Sequence, residues 1–261
     1  MQIIKLLNNQ MIEQELINCL KNRQLPDKFL YTGNTGTKIW LDLESSNDFK
    51  VASSLTSFLD KNKTEIARTL PSDLNLVSIG CGDAKKETLL MKALNKKVTS
   101  CHLVDISCPM IGSALNNLKK NDFSGLGFFA GIEQLDQLKK FWQPPVLLCL
   151  LGNNFSNYEP SYIFDLIRKN LSADDFFIFD CKLFTGKLNN PNQLKSEITP
   201  YQCKKNKEFN IAPLTQCKID KQDLSFSLDL LVDDQKKCCK TRKQIHIKND
   251  CSAVLDSQTI D

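Results

Sequence analysis

The chain has 261 residues, 41% of them hydrophobic and 25% charged, a globular balance with room for one large α/β domain or one domain with a modest appendage. Its formal net charge of +4 is spread along the chain, which excludes the strongly basic surface expected of a nucleic-acid partner. No apolar run is long enough to span a membrane, and residues 1–20 lack the basic-then-apolar order of a secretion signal. Eleven cysteines raise the alternatives of a disulfide framework or a zinc site. There is no Cys-x-x-Cys spacing, and Cys238 and Cys239 are adjacent, which suits two ligands on one ion poorly. Cys149 and Cys181 lie inside apolar runs, where a thiol behaves as a small hydrophobe. The cysteines therefore read as reduced thiols of a cytoplasmic protein, with no metal site.

In chain order, residues 1–24 predict an amphipathic helix, with Ile12, Leu16 and Leu20 at i, i+4, i+8. A loop from Gln24 to Thr37 follows, broken by Pro26, Gly33 and Gly36, and then a second helical region from Ser53 to Leu70. From Leu76 a strand–turn–helix rhythm sets in. Its apolar runs are Leu76 to Ile79, Val98 to Val104, Gly127 to Ala130, Val146 to Leu151 and Phe176 to Phe179. The intervening helices bury faces such as Leu89, Leu90, Ala93 and Leu94, or Met110, Ile111, Ala114, Leu115 and Leu118. Apolar strands separated by helices mean a parallel sheet covered on both faces. After Phe184 the pattern gives way to a polar stretch with Pro191, Pro200 and Pro213. Two late runs, Leu224 to Val232 and Gln244 to Ile247, read as an antiparallel hairpin at the end of the sheet. A lysine-rich connector, Gln235 to Lys243, joins them. The expected fold is an α/β, Rossmann-like sheet, mostly parallel with a terminal antiparallel hairpin. A helical cap over 1–70 precedes the main domain, 71–261.

In an open α/β sheet, ligands bind beyond the carboxyl ends of the strands, so the residues after each apolar run carry the function. The first run ends in Gly80-Cys81-Gly82-Asp83-Ala84-Lys85-Lys86, where glycines let the backbone turn tightly and approach a ligand. The second ends in Asp105, placed to accept hydrogen bonds from both hydroxyls of a ribose. The other reading, that Asp105 merely starts the next helix, is met by Ser107, which could do that. Glycine loop and acidic strand end together point to an adenosine-containing cofactor. A dinucleotide fingerprint needs a third glycine, and position 85 is Lys; the G-x-x-x-x-G-K-[ST] loop of nucleotide hydrolases is absent as well. S-adenosylmethionine, with a ribose and an amino-acid tail but no phosphate, needs only what is present. After the fourth run, Leu151-Gly152-Asn153-Asn154-Phe155-Ser156-Asn157-Tyr158 offers amides and a phenol able to hold a substrate amine, although asparagines are also ordinary loop residues.

On these segments the sequence resembles the histidine-specific S-adenosylmethionine-dependent methyltransferases, which trimethylate the α-amino group of histidine on the way to ergothioneine. Phe29-Leu30-Tyr31-Thr32 with Gly36-Thr37-Lys38-Ile39-Trp40 is similar to that family's aromatic-rich N-terminal loop. Gly80 to Lys86 is similar to its glycine loop, Val104-Asp105-Ile106-Ser107 to its VDIS segment, and Leu151-Gly152 through Asn157 to its LGSTIGN loop. The resemblance implies cofactor contacts at Gly80, Cys81, Gly82, Lys86, Asp105, Ile106 and Gly152. It implies substrate-orienting, catalytic contacts at Tyr31 and Asn157. Gly131 and Ile132 fall where the family's Gly-Asp-Phe borders the adenine, here written Gly131-Ile132-Glu133. The likeness runs over roughly residues 25–184; the family's acidic, serine-containing C-terminal segment has no match at Asp250–Asp261. The expected activity is N-methylation of a small amine or amino-acid-like substrate, with no nucleic-acid or membrane partner. Two other readings stand: a methyltransferase-like binding or regulatory protein that has lost catalysis, and a nicotinamide-dependent oxidoreductase, disfavoured by Lys85.

Overall fold

A computed structural model describes residues 2–47, 49, 51–183, 190–233, 235, 238–248, 253–255 and 258–260. In chain order the elements begin β1 (Ile3–Lys5), α1 (Asn9–Lys21), α2 (Gly33–Glu44), α3 (Val51–Thr69), β2 (Leu74–Ile79), α4 (Lys85–Leu94) and β3 (Val98–Asp105). They continue with α5 (Cys108–Lys120), β4 (Leu126–Phe129), α6 (Leu135–Leu138), β5 (Val146–Leu150), α7 (Pro160–Asn170) and β6 (Phe176–Phe179). Last come α8 (Pro191–Ile198), α9 (Lys204–Gln216), β7 (Leu224–Asp233), β8 (Cys238–Ile247), β9 (Ala253–Leu255) and β10 (Gln258–Ile260). The chain divides into two compact units, Met1–Asn8 with Ala52–Lys182, and Asn9–Val51 with Leu183–Asp261. The helix over 52–69 thus belongs with the sheet, and residues 9–51 belong with the C-terminal segment, a different partition from 1–70 and 71–261.

The first unit is a parallel six-stranded sheet of order β1-β4-β3-β2-β5-β6. The strand order reverses between β2 and β5, so the crevice at their carboxyl ends is the topological switch point. Register splits the strands into two faces. Val77, Val104, Leu148 and Leu150 fall on one, where they join Phe128, Ile132, Leu135, Leu138, Ile163 and Ile167 in a fully apolar core. Leu76, Ser78, Cys101, Leu103 and Cys149 fall on the other. The continuous apolarity of β5, buried at every residue, is the signature of this two-sided burial. Ser107 caps α5 by accepting from the Met110 N–H at 3.4 Å, with Pro109 in the first turn. The helix start therefore does not require Asp105.

Residues 1–24 are not one helix. Ile3 and Ile4, β-branched and half-buried, extend the sheet as β1 beside β4, and Leu6 and Leu7 N–H both donate to the Phe129 carbonyl at 3.1 Å. The helix begins only at Asn9.

In the second unit, Leu30, Leu43, Phe49 and Phe209 are buried together with Tyr31, Ile39, Trp40 and Tyr201 packed against them. The loop expected over 24–37 is largely ordered, with a 3-10 turn at Asp27–Tyr31 and α2 starting at Gly33. The polar stretch after residue 184 contains two helices. Pro191 stands in the first turn of α8, where a missing N–H costs nothing, and α9 buries Phe209, Ile211, Ala212 and Leu214. The expected hairpin forms as β7–β8, with Leu224, Phe226 and Leu228 on one side. Two differences stand out. Among the described residues it pairs only with itself rather than closing the parallel sheet, and much of the lysine-rich connector is strand, since β8 starts at Cys238. Phe184 and most of Asp250–Asp261 lie outside the described residues.

Candidate functional site

Four strand ends of the first unit meet at the switch point, and their loops are tied together by named hydrogen bonds. After β2 the chain turns through Gly80 (φ +63°) and Gly82 (φ +56°), left-handed conformations that favour glycine. A side chain on Gly82 would meet nothing within 4 Å, so this face of the loop opens onto free space. Cys81 between them is buried, and its N–H donates to the Val104 carbonyl at 3.1 Å, fastening the loop to β3. Burial pushes its thiol far up.

Asp105, the last residue of β3, is 7% exposed. One carboxylate oxygen accepts the Gly82 N–H at 3.1 Å and the other accepts the Ser107 N–H at 3.0 Å. A carboxylate has about four lone-pair positions, so acceptor capacity remains for a further donor. Burial pushes the carboxyl up to about 6, against the opposing pull of the Gly82, Ser107 and Ile106 N–H groups. Ile106 itself is half-buried.

Lys86 is buried in the first turn of α4. Its side chain lies over Gly152, where an added Cβ would meet Lys86 Cε at 3.0 Å and Nζ at 3.2 Å; Gly152 has φ +84°. The glycine loop and the loop after β5 are stapled by Asn154, whose Nδ2 donates to the Gly80 carbonyl at 2.9 Å and to the Leu151 carbonyl at 2.7 Å. After β4, Gly131 donates its N–H to Gln134 Oε1 at 2.8 Å, and the Ile132 side chain is buried in the apolar core. Tyr158 is half-buried beside this region, and burial first, then Glu133, Tyr162 and Asp105, pushes its phenol up.

The first unit therefore brings together Gly80, Cys81, Gly82, Lys86, Asp105, Ile106 and Gly152, with Gly131 and Ile132 at the next strand end. Asn157 closes the 3-10 turn Asn154–Asn157 and is exposed. Tyr31 belongs to the second unit, where its ring stands edge-on to Trp40 at 5.1 Å and Phe209 at 5.2 Å. Sequence reasoning missed Asn154, which is one more loop asparagine until its staple is seen. It also missed Asp180, which accepts the Gly152 and Asn153 N–H groups. An acid closing an apolar run, the signal that marked Asp105, was present there too.

A buried carboxylate at Asp105, a glycine turn with free space beyond Gly82 and the buried Lys86 are groups that fit the ribose and amino-acid tail of S-adenosylmethionine. These groups stand at the strand ends of a Rossmann-like α/β domain. The chain belongs to the family described as histidine-specific methyltransferase, SAM-dependent, which it matches over residues 12–184. A named relative, N-methyltransferase dtpB of Aspergillus flavus, is 27% identical over 136 residues, covering 51% of this chain and 37% of that protein. The chain thus spans well under two thirds of that relative's length. Among solved structures, the plantazolicin methyltransferase BpumL in complex with SAH aligns at 14% identity over 84% of each chain, with a TM-score of 0.43. The mycolic acid cyclopropane synthase CmaA1, complexed with SAH and CTAB, aligns at 19% identity over 61% of this chain and 52% of that one, with a TM-score of 0.34. Among the described residues, no helix is long and apolar enough to cross a membrane, and no cluster of His, Cys, Asp or Glu could hold a metal ion.

Proposed function

We propose that the protein is an S-adenosylmethionine-dependent N-methyltransferase acting on a small amine or amino-acid-like substrate. The observation that carries this reading is the clasp of the buried Asp105 carboxylate on the Gly82 and Ser107 N–H groups at the switch point, in a glycine turn with free space beyond Gly82. In this reading Asp105 binds the ribose hydroxyls, Lys86 pairs with the cofactor's carboxylate, and Gly80, Cys81 and Gly82 let its amino-acid portion approach the backbone. Ile106, Gly131, Ile132 and Gly152 complete the walls. Bound S-adenosylmethionine supplies a methyl group activated by its sulfonium. The protein's task is to align an amine lone pair with that methyl and to exclude water. Asn157 is assigned the amine, which an uncharged amide holds in its neutral, nucleophilic form. For Tyr31 the support is the family match alone. The buried thiols Cys81, Cys101 and Cys149 support a reducing, cytoplasmic setting.

The test is turnover. Incubation with S-adenosylmethionine and a panel of amino acids and amines, histidine among them, is expected to yield S-adenosylhomocysteine. Asn157→Ala and Tyr31→Phe are expected to raise KM for the accepted amine with little change in cofactor affinity. Cofactor binding without turnover on any acceptor would instead support the binding-protein reading. That reading is favoured by one observation: the family's adenine-bordering acid is replaced here by Ile132, whose side chain is buried in the core.

A further inference from the structure

Asp180 follows β6 much as Asp105 ends β3, and each carboxylate grips the loop after the neighbouring strand. Asp180 Oδ2 accepts the Gly152 N–H at 3.0 Å and Oδ1 accepts the Asn153 N–H at 2.5 Å. Both of these residues have positive φ, +84° and +64°. The two successive amides therefore each take one oxygen of the same carboxylate. For Asn153 the left-handed conformation is uphill by about 1 kcal/mol, and two charge-assisted bonds offset that cost. The grip is reciprocal, since Asn153 Oδ1 accepts the Lys182 N–H at 3.0 Å. Asn153 is also the residue from which the turn Asn154–Asn157 starts. Asn154 in turn donates to the Gly80 carbonyl. A chain of hydrogen bonds therefore runs from Asp180 through the Gly152–Asn154 turn to the glycine loop.

We infer that Asp180 is a positioning residue of the cofactor site. It fixes the Gly152–Asn153 turn so that Asn154 reaches Gly80. The functional half of this inference rests on the cofactor reading above; the structural half does not. The test uses the full chain, S-adenosylmethionine as the probe, and the variants Asp180→Ala, Asn154→Ala and the double variant. Asp180→Asn, which keeps the shape but loses one acceptor and the charge, serves if the alanine variant does not fold.

Amide exchange of Gly152 and Asn153 is expected to accelerate about tenfold in the Asp180 variant, while Gly82, held by Asp105, keeps its wild-type rate. Calorimetric affinity is expected to fall about tenfold in each single variant. The double variant should lose no more than the larger single loss, within about twofold, because both act through one connection. Amides that exchange at the wild-type rate, or single losses that multiply to about a hundredfold in the double variant, overturn the inference. If the wild type itself binds no S-adenosylmethionine, the cofactor reading falls, and the amide rates alone decide whether Asp180 holds the turn.

Discussion

Asp105 carries two opposed demands. Its proposed ribose-binding role requires it ionised, yet burial lifts its carboxyl from an ordinary 3.8 to about 6. The folded chain binds more protons than the unfolded chain between those values, so stability falls as pH rises through that window, by a total on the order of 3 kcal/mol. Cofactor hydroxyls donate to the ionised form, so affinity is expected to weaken as pH falls through about 6 and binding there to release a proton. Asp105→Asn removes both effects. It leaves one of the Gly82 and Ser107 N–H groups without its acceptor, so it is expected to melt below wild type at neutral pH and to bind S-adenosylmethionine about 10–100-fold more weakly, without the acidic fall-off. Thermal melts and calorimetry at several pH values check this. Gly152 is the complementary case. Alanine there would occupy a strained φ and press on the Lys86 ammonium at 3.2 Å. Gly152→Ala should lose about 1–3 kcal/mol of stability, read by denaturant unfolding, together with cofactor affinity.

At the scale of elements, the sequence made legible whatever has a long period or a strong end signal. The core strands β2 to β6 show as runs rich in apolar residues, broken in β2 by Asn75 and Ser78 and in β3 by Thr99, Ser100 and His102, and Asp105 shows because it terminates one. β1 did not, since a three-residue edge strand is too short for periodicity and its pairing with β4 is set by contacts far along the chain. α9 did not either, because Pro213 reads as a breaker although it falls in the last turn of a helix held by its buried face. Asp180 closes an apolar run as Asp105 does, so its end signal was present; the amides it holds, those of Gly152 and Asn153, are what no residue pattern shows. Packing of α5 on β4 gives a direct test of the element level. A Cβ on Gly127 would collide with Ile111 Cγ2 and crowd Leu115 Cδ1 at 3.2 Å and Ile3 Cγ1 at 3.3 Å. Gly127→Ala is therefore expected to destabilise by about 1–3 kcal/mol in denaturant unfolding, through overpacking between helix, central sheet and β1.

For the molecule as a whole, a ligand held only by the folded chain must raise its melting temperature by mass action. A hundredfold excess of S-adenosylmethionine over Kd is expected to add about 2.7 kcal/mol, seen as a Tm that climbs with the logarithm of cofactor concentration. The limit of sequence reading at this scale is equally physical. A cofactor loop is local and leaves a local signature, whereas an acceptor is chosen by side chains drawn from distant segments. The most direct test of the central claim is a calorimetric titration of S-adenosylmethionine into wild type and Asp105→Asn at neutral pH. The account predicts one site per chain in the wild type and a large loss of affinity in the variant. Equal binding by the two proteins, or none by the wild type, would contradict it.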